Sequence, residues 1–182
     1  MHQIQLRTDI YILVMCRYKD DVYDRIWLPY ESSSDWVRLN TSLNNDDLVQ
    51  NHYKPPVIVM STAVTLVNAS APLQLVWDAD NENDQYYSYF LFNEVEKLAA
   101  NETRAFNITV NGNLLFGPVM PKYQKVNTIY CKRPLIRAKR YLISLFKTEY
   151  STLPPILNAI EIYKVKDFSR SETQQDDGML AL

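Results

Sequence analysis

Three aromatic residues in the middle of the chain flank an acidic stretch: Trp77 precedes it, and Tyr86 and Tyr87 follow it. The face of an aromatic ring packs against the C–H face of a sugar, and Tyr and Trp add a polar group that can reach a hydroxyl. We therefore take Trp77, Tyr86 and Tyr87 as candidate carbohydrate-binding residues. Packing is the alternative, because the side chains of a strand alternate between its two faces and about half of its aromatic residues point into a core.

The acidic stretch itself offers oxygen ligands at alternate positions, a pattern that suits hard cations such as Ca²⁺. Its acidic residues are Asp78, Asp80, Glu82 and Asp84. The calcium loop of an EF-hand does not fit, because Asn83 stands where the sharp turn needs glycine and Tyr89 stands where the bidentate glutamate belongs. The sequence favours a solvated loop and predicts no metal site here.

Residues suited to catalysis are sparse. The two histidines are His2 and His52, and spacing places no serine or cysteine nucleophile beside either one. The sequence has no glycine-rich phosphate loop and no zinc-type spacing of cysteine and histidine. It predicts neither an enzyme nor a cofactor. Glu94, in an otherwise apolar run, is predicted to be a buried structural carboxylate, paired with Arg25 or Arg104.

Four Asn-x-Ser/Thr sequons occur in the chain, where about one or two would arise by chance at this composition. The acceptor residues are Asn40, Asn68, Asn101 and Asn107. Such sequons are N-glycosylation sites in secreted proteins, and their excess favours a secretory ancestry. Coincidence in an asparagine-rich chain is the alternative. Asn107 alternates with Phe106 and Ile108, so we expect its side chain to lie on the solvent face of a strand.

Composition argues against several classes of partner and structure. The formal net charge of -2 argues against a nucleic-acid surface, and we interpret the basic residues at 132–140 as a solvated strand edge. No apolar run approaches the roughly 20 residues that span a bilayer, and the apolar stretch at 10–16 lacks the cleavage site of a signal peptide. Cys16 and Cys131 are the two cysteines, and separate thiols or a single disulfide both remain open.

The composition of the chain favours β-strands. Tyrosine is abundant, with 13 residues, and glycine is scarce, with three; aromatic and β-branched residues fill the apolar runs. The predicted strands are 57–67, 73–77, 86–92, 106–110, 114–116, 141–147 and 157–165. Asn111 and Gly112 tolerate positive φ and predict a two-residue hairpin turn, whereas a short helical turn is predicted at 94–100. Many short strands without alternating long helices predict an all-β sandwich.

The last predicted strand is expected to be structural. Pro154 and Pro155 stiffen the chain before it and exclude a helix there. Ile160 and Ile162 alternate with Glu161, which predicts an apolar core face and a more polar opposite face. Asn158 is then expected to hydrogen-bond with neighbouring backbone.

Six segments, in order along the chain, resemble one family. They are residues 17–27, 55–57, 59–63, 92–95, 104–108 and 151–163. The resemblance is to the malectin-like domain of plant leucine-rich-repeat receptor-like kinases, and within it to the second malectin-like half of the ectodomain. It covers residues 17–168, so we take 1–16 as an atypical N-terminal segment and 169–182 as a polar, disordered tail. The chain resembles a truncated paralogue or a fragment of such a receptor.

The resemblance implies a jelly-roll-like β-sandwich, in agreement with the strand pattern, and a non-catalytic, extracellular or membrane-associated recognition module. Its implied ligand would be a cell-wall oligosaccharide, a peptide or a partner receptor ectodomain. The alternative is a structural spacer that packs on neighbouring domains and binds no soluble ligand. An aromatic-lined surface with a polar rim would favour recognition, and a flat apolar patch would favour the spacer.

Overall fold

The computed structural model describes residues 4–6, 16–17, 21–28, 35–43 and 51–166. Within these ranges the chain forms twelve β-strands and one short helix, α1, at Val57–Met60. The strands are β1 Ile4–Leu6, β2 Cys16–Arg17, β3 Ile26–Trp27, β4 Trp36–Asn40, β5 Thr62–Leu66, β6 Leu73–Asp78, β7 Tyr86–Phe92, β8 Phe106–Val110, β9 Asn113–Val119, β10 Asn127–Tyr130, β11 Arg140–Lys147 and β12 Ala159–Val165. The prediction of an all-β fold is confirmed.

Most of the strands belong to two four-stranded antiparallel sheets. The first sheet has the order β1-β12-β7-β10, and the second sheet has the order β6-β11-β8-β9. Two smaller pairs, β2 with β3 and β4 with β5, complete the described strands. Apart from the hairpin pair β8 and β9, neighbours within each sheet are not consecutive in the chain, as in a jelly-roll-like sandwich and unlike a simple meander.

One apolar core joins the facing sides of the two sheets. Its fully buried members include Phe90, Phe92 and Ile160 from the first sheet and Leu75, Ile108 and Ile143 from the second. Along β6 and β8 these core residues alternate with more exposed ones. That alternation is the period-two pattern of a strand with one face on a core.

The tight turn between β8 and β9 is the one that the sequence predicts. Val110 and Asn113 pair across it, and Asn111 and Gly112 occupy its two central positions with φ angles of 49° and 80°. Both angles are positive, as a type I′ hairpin turn requires. The Asn111 side chain also accepts a hydrogen bond from the backbone N–H of Leu142 at 2.7 Å, which fixes the turn to β11.

Strand β12 confirms the predicted core face, and its more polar opposite face is buried as well. Ile160 and Ile162 are 1% and 3% exposed. Glu161 lies on the opposite face, but it is 2% exposed rather than solvated. Arg25 and Tyr163 both bond with its carboxylate and cover it.

Asn158, just before β12, bridges neighbouring backbone as predicted. Its Oδ1 accepts a hydrogen bond from the N–H of Asn93 at 2.7 Å, and its Nδ2 donates to the carbonyl of Thr62 at 2.8 Å. The buried amide is thereby satisfied and ties the end of β7 to the start of β5.

The predicted strand at 57–67 begins later than expected, because residues 57–60 form α1. Pro56 is the N-cap residue of this helix. Pro55 and Pro56 both lack the backbone N–H group that pairing in a β-sheet needs. The strand β5 starts at Thr62, directly after the helix ends.

The predicted helical turn at 94–100 is wrong. Glu94 forms a bridge with Tyr123, and its carboxylate accepts a hydrogen bond from Arg104 Nε at 2.6 Å. These long-range contacts override the local helix propensity of the segment.

The domain boundary predicted at residue 17 leaves out one strand of the first sheet. Ile4 and Leu6 of β1 pair with Val165 and Tyr163 of β12. The residues of β1 carry no local pattern that predicts this strand, because β1 is defined by its pairing with the distant strand β12. The tail predicted at 169–182 lies outside the described residues.

Candidate functional site

Trp77 and Tyr86, two of the three candidate carbohydrate-binding residues, are core residues. They are 8% and 0% exposed, and their ring centroids lie 4.8 Å and 5.6 Å from that of Tyr141. Neither ring therefore presents a free face to a sugar. Tyr87 is half-buried and projects from the opposite face of β7. Of the three, Tyr87 is the one that stays a candidate for carbohydrate binding.

Tyr87 belongs to a group of tyrosines on the outer face of the first sheet, which we call the tyrosine surface. Its members are Tyr53, Tyr87, Tyr89, Tyr130 and Tyr163. The centroid of Tyr89 lies 5.3 Å from that of Tyr53, 5.8 Å from Tyr130 and 5.4 Å from Tyr163. Tyr130 is 46% exposed, and the other four are half-buried. Burial raises the pKa of Tyr89, and the nearby Glu161 carboxylate raises it further. The Tyr89 hydroxyl therefore remains a neutral donor at physiological pH.

Strand register brings these tyrosines together. Tyr89 of β7 lies opposite Tyr130 of β10 on one side and opposite Glu161 of β12 on the other, while Tyr87 lies opposite Tyr163. Side chains at directly opposite positions are close enough to contact one another. The sequence predicts the strand that carries Tyr87 and Tyr89, but it does not predict which strands lie beside it.

A buried charge cluster lies beside the tyrosine surface. Arg25 donates from Nε to Asp21 at 2.9 Å, from Nη1 to Glu161 at 2.7 Å and from Nη2 to the carbonyl of Lys54 at 2.8 Å. The side chains of Arg25, Asp21 and Glu161 are all at most 3% exposed. Burial raises the pKa of Glu161, although the Arg25 charge and a hydrogen bond donated by Tyr163 oppose the rise. Every charged group here is paired, so the cluster can hold Tyr163 in place but offers no free acid or base.

Aromatic and polar groups form a rim around this cluster. The Arg25 guanidinium lies 4.9 Å from the ring centroid of Trp27 and 5.2 Å from that of Tyr23, within the range of a cation–π contact. Tyr23 is 57% exposed and donates a hydrogen bond to the carbonyl of His52 at 3.3 Å. His52 is exposed and directly precedes Tyr53. The loop that carries Tyr53 is thereby tied to the Arg25 segment.

A second buried ion pair decides the alternative that the sequence leaves open for Glu94. Its partner is Arg104, with Nε 2.6 Å from the carboxylate and both side chains 1% exposed. Arg104 also donates to Glu96 at 2.7 Å and to the carbonyl of Pro154 at 2.6 Å. The pair joins the loop after β7 to the segment before β12, which is a structural role.

The acidic loop after β6 is exposed, and its carboxylates pair with basic side chains. Asp84 and Asp80 lie 2.7 Å and 3.2 Å from Lys164, and Asp78 lies 2.7 Å from Arg140. Burial alone would raise the pKa of Asp84. Hydrogen bonds that Lys164, the backbone N–H of Asn81 and Tyr86 donate to its carboxylate hold this pKa below its ordinary value. Within the described ranges, no group of three or more metal-ligating side chains is close enough to hold a metal ion.

Cys131 is a buried free thiol. Burial raises the pKa of Cys131, which makes it a poor nucleophile at neutral pH. Among the residues that the structure covers, no helix has the length and apolar character needed to cross a membrane.

The four sequon asparagines lie in different settings. Asn40 is exposed at the end of β4, and Asn68 and Asn101 are exposed between strands. Asn107 lies in β8 and is half-buried against Gly117 of the neighbouring strand β9. The outer face of the sheet at Asn107 is therefore less open than the alternation of residues predicts.

An antiparallel sandwich of this strand order has a jelly-roll-like architecture. The chain belongs to the malectin-like domain family, whose model matches residues 3–165. The match confirms the resemblance, and it begins upstream of the boundary at residue 17 that the sequence predicts.

Curated relatives are receptor-like kinases of Arabidopsis thaliana. The chain is 43% identical over 162 residues to the "Probable LRR receptor-like serine/threonine-protein kinase At5g59680" and 42% identical over 164 residues to the probable LRR receptor-like kinase PAM74. Each match covers 88% of this chain and 18% of the relative. The chain therefore spans less than a fifth of the length of these relatives.

Solved structures with the same fold are ectodomains of plant receptor kinases. The extracellular domain of ANXUR2 from Arabidopsis thaliana has a TM-score of 0.68 and 16% identity, and the match covers 91% of this chain and 50% of that one. A structure of the plant peptide RALF23 in complex with FER and LLG2 has a TM-score of 0.60 and 19% identity, over 81% of this chain and 44% of that one. These likenesses confirm the jelly-roll-like fold.

Proposed function

We propose that this chain is a non-catalytic recognition module, that it acts on the extracellular side of a membrane as part of a receptor, and that it binds its ligand at the tyrosine surface. The observation that carries the proposal is the contact of Tyr89 with three other tyrosines, on the sheet face that also carries Tyr87, beside a buried charge cluster. Tyrosines supply a large contact area and a hydrogen-bonding tip at a low cost in conformational entropy. The extracellular location is supported by the solved relatives, which are ectodomains.

The chemistry of the tyrosine surface suits an oligosaccharide. Ring faces can pack on sugar C–H groups, while the tyrosine hydroxyls can form hydrogen bonds with sugar hydroxyls. Tyr87 and Tyr130 would make these contacts directly, because both lie on the outer face of the first sheet. Trp77 and Tyr86 would support the site from the core, where the structure places them.

A peptide or a partner receptor ectodomain is the alternative ligand. One solved structure of similar fold is of the plant peptide RALF23 in complex with FER and LLG2, which supports a peptide or a receptor partner as the alternative. An aromatic surface also suits peptide recognition, because rigid rings provide anchors for a bound chain.

The experiment compares Tyr130→Ala with Tyr150→Ala. Both residues are exposed, at 46% and 57%, but Tyr150 lies outside the tyrosine surface. We expect the full chain to bind wall-derived oligosaccharides saturably in a calorimetric titration. Loss of one ring contact worth about 1.4 kcal/mol should weaken binding about tenfold in Tyr130→Ala, and Tyr150→Ala should bind like the unchanged chain.

Saturable binding that both variants retain would place the ligand elsewhere. No saturable binding to any oligosaccharide by a chain that circular dichroism shows to be folded would reject the carbohydrate ligand. Capture of a peptide or a receptor ectodomain that Tyr130→Ala weakens would then support the alternative ligand at the same surface.

A structural spacer is the second candidate function, and one observation favours it. The second sheet carries large exposed apolar side chains on three of its strands: Val76, Leu114, Phe116 and Phe146, which are 42%, 67%, 47% and 43% exposed. Exposed apolar groups that lie together mark surfaces that contact other proteins. Loss of a partner ectodomain in Phe146→Ser, together with full retention in Tyr130→Ala, would support the spacer over the recognition module.

A further inference from the structure

Glu161 and Tyr163 lie on the outer face of β12, and a hydrogen bond joins their side chains. We propose that this pair is a proton-operated switch within the tyrosine surface. While Glu161 is ionised, the Tyr163 hydroxyl donates its proton to the carboxylate. When Glu161 takes up a proton from solvent, the bond reverses its direction, and the Tyr163 proton becomes available to a ligand. The effect on a ligand rests on the proposed function of the tyrosine surface, whereas the switch itself is a property of the folded chain.

Arg25 is the cation that contacts Glu161, and it also serves a second buried carboxylate. Its Nη1 lies 2.7 Å from Glu161 and its Nε lies 2.9 Å from Asp21, and all three side chains are at most 3% exposed. Lys54 contacts Arg25 through its backbone carbonyl, which is an acceptor and adds no positive charge. With both carboxylates ionised, the three side chains therefore carry one excess negative charge. A buried charge without a full complement is costly, so the uptake of one proton relieves the cluster.

The donors around the two carboxylates decide which of them takes the proton. Asp21 accepts hydrogen bonds from three groups: the backbone N–H of Tyr23 at 2.9 Å, Arg25 Nε at 2.9 Å and Trp27 Nε1 at 2.7 Å. Glu161 accepts from two groups, Arg25 Nη1 and the Tyr163 hydroxyl. Because each donor stabilises the ionised form of a carboxylate, we expect the proton on Glu161. In agreement, burial raises the pKa of Glu161 despite the opposing charge of Arg25.

The two oxygens of Glu161 have different partners, and this difference fixes the position of the proton. Arg25 Nη1 donates to Oε1, and the Tyr163 hydroxyl donates to Oε2. Burial raises the pKa of Tyr163, and the Glu161 carboxylate raises it further, so the hydroxyl keeps its proton and is the donor. A proton from solvent must add to Oε2, because Oε1 faces an N–H group. The protonated Oε2 then donates to the Tyr163 oxygen, and the Tyr163 proton turns away from Glu161.

Besides the residues already named, two further tyrosines approach Glu161. Tyr89 of β7 lies opposite it in the sheet register, and the charge of Glu161 reaches Tyr53 in the loop before α1. Burial is the largest effect that raises the pKa of both tyrosines. They therefore stay neutral over the pH range in which a carboxyl group titrates. His52, next to Tyr53, is exposed, and a variant at Glu161 separates the response of the switch from that of this histidine.

The first measurement is the midpoint of urea unfolding of the full chain from about pH 5 to about pH 8. The folded state holds the Glu161 proton more tightly than the unfolded chain does. The stability that this proton contributes is therefore complete below the ordinary pKa of the carboxyl group, and it is lost as the pH rises through the raised pKa. Glu161→Gln keeps an acceptor for Arg25 and a donor for Tyr163 at every pH. The midpoint of this variant minus that of the unchanged chain should therefore grow as the pH rises.

Glu149→Gln is the matched control, because it makes the same chemical change at an exposed glutamate. Its midpoint should differ from that of the unchanged chain by the same amount at every pH. A constant difference for Glu161→Gln as well would overturn the switch, and any pH dependence that the chains share would then belong to another group such as His52.

The second measurement is a calorimetric titration with wall-derived oligosaccharides at about pH 5 and about pH 8. We expect the unchanged chain to bind about fivefold more tightly in acid, because the ligand gains one neutral hydrogen bond from Tyr163. Glu161→Gln should bind equally at the two pH values. Equal binding by the unchanged chain at both pH values would overturn the effect of the switch on the ligand. A midpoint difference that grows with pH, without saturable binding at either pH, would support the switch and reject the oligosaccharide ligand.

Discussion

At the scale of the residue, Arg25 forms ion pairs with two buried carboxylates beside the tyrosine surface. Its replacement by alanine should leave Asp21 and Glu161 buried without their partner, and breaking a buried ion pair in this way costs about 3–5 kcal/mol. We therefore expect a large fall in the midpoint of urea unfolding for Arg25→Ala. Arg140→Ala is the matched control, because its ion pair with Asp78 is exposed on both sides, and we expect little change in the midpoint. Equal midpoints for the two variants would contradict the assignment of Arg25 as a buried structural cation.

The residue scale also shows where sequence reasoning stops. The alternation around Glu161 predicts its face correctly, but burial of that face depends on Arg25, which arrives from a distant part of the chain. In the same way, the sequence analysis groups Tyr86 and Tyr87 in one aromatic site. Because β7 is pleated, however, the ring of Tyr86 lies in the core and that of Tyr87 lies on the outer face. Local pattern predicts the two directions, but it does not predict which direction meets the core.

At the scale of the element, the hairpin between β8 and β9 depends on a backbone conformation. Gly112 has a φ of 80°, and no atom lies within 4 Å of where its Cβ would be. Gly112→Val should therefore destabilise the domain by about 1–2 kcal/mol through the left-handed backbone alone, without a steric clash. Gly112→Asn is the control, because asparagine tolerates this region and should lose much less. Thermal melts of the two variants measure the difference, and an unchanged melting temperature for Gly112→Val would remove the conformational argument.

Elements with a strong local signal were predictable, and those defined by distant partners were not. The hairpin follows from the Asn-Gly pair, and β6, β7, β8 and β11 follow from their apolar runs. By contrast, β1 is defined by its pairing with β12, and α1 replaces the start of a predicted strand after Pro56. The tyrosine surface combines side chains from three strands, which the sheet register brings together, with one side chain from a loop. No single segment of the sequence therefore predicts it.

At the scale of the whole molecule, one core joins the inner faces of both sheets, and this predicts that the domain unfolds as a unit. Ile160 is 1% exposed within that core. Ile160→Ala should cost about 2–5 kcal/mol, because truncation removes buried methyl groups and leaves a cavity. A loss of that size is a large share of the roughly 5–15 kcal/mol that stabilises a typical domain.

Because the sheets share the core, Ile160→Ala should lower the stability of both sheets together. Circular dichroism and tyrosine fluorescence should therefore report one coincident urea transition, shifted to lower denaturant in the variant. Ile136→Ala is the control, because it makes the same chemical change at a residue outside the core that is 46% exposed. Separate transitions for the two probes would mean that the sheets unfold independently. An unfolding midpoint for Ile136→Ala as low as that for Ile160→Ala would mean that burial in the shared core does not explain the contribution of Ile160 to stability.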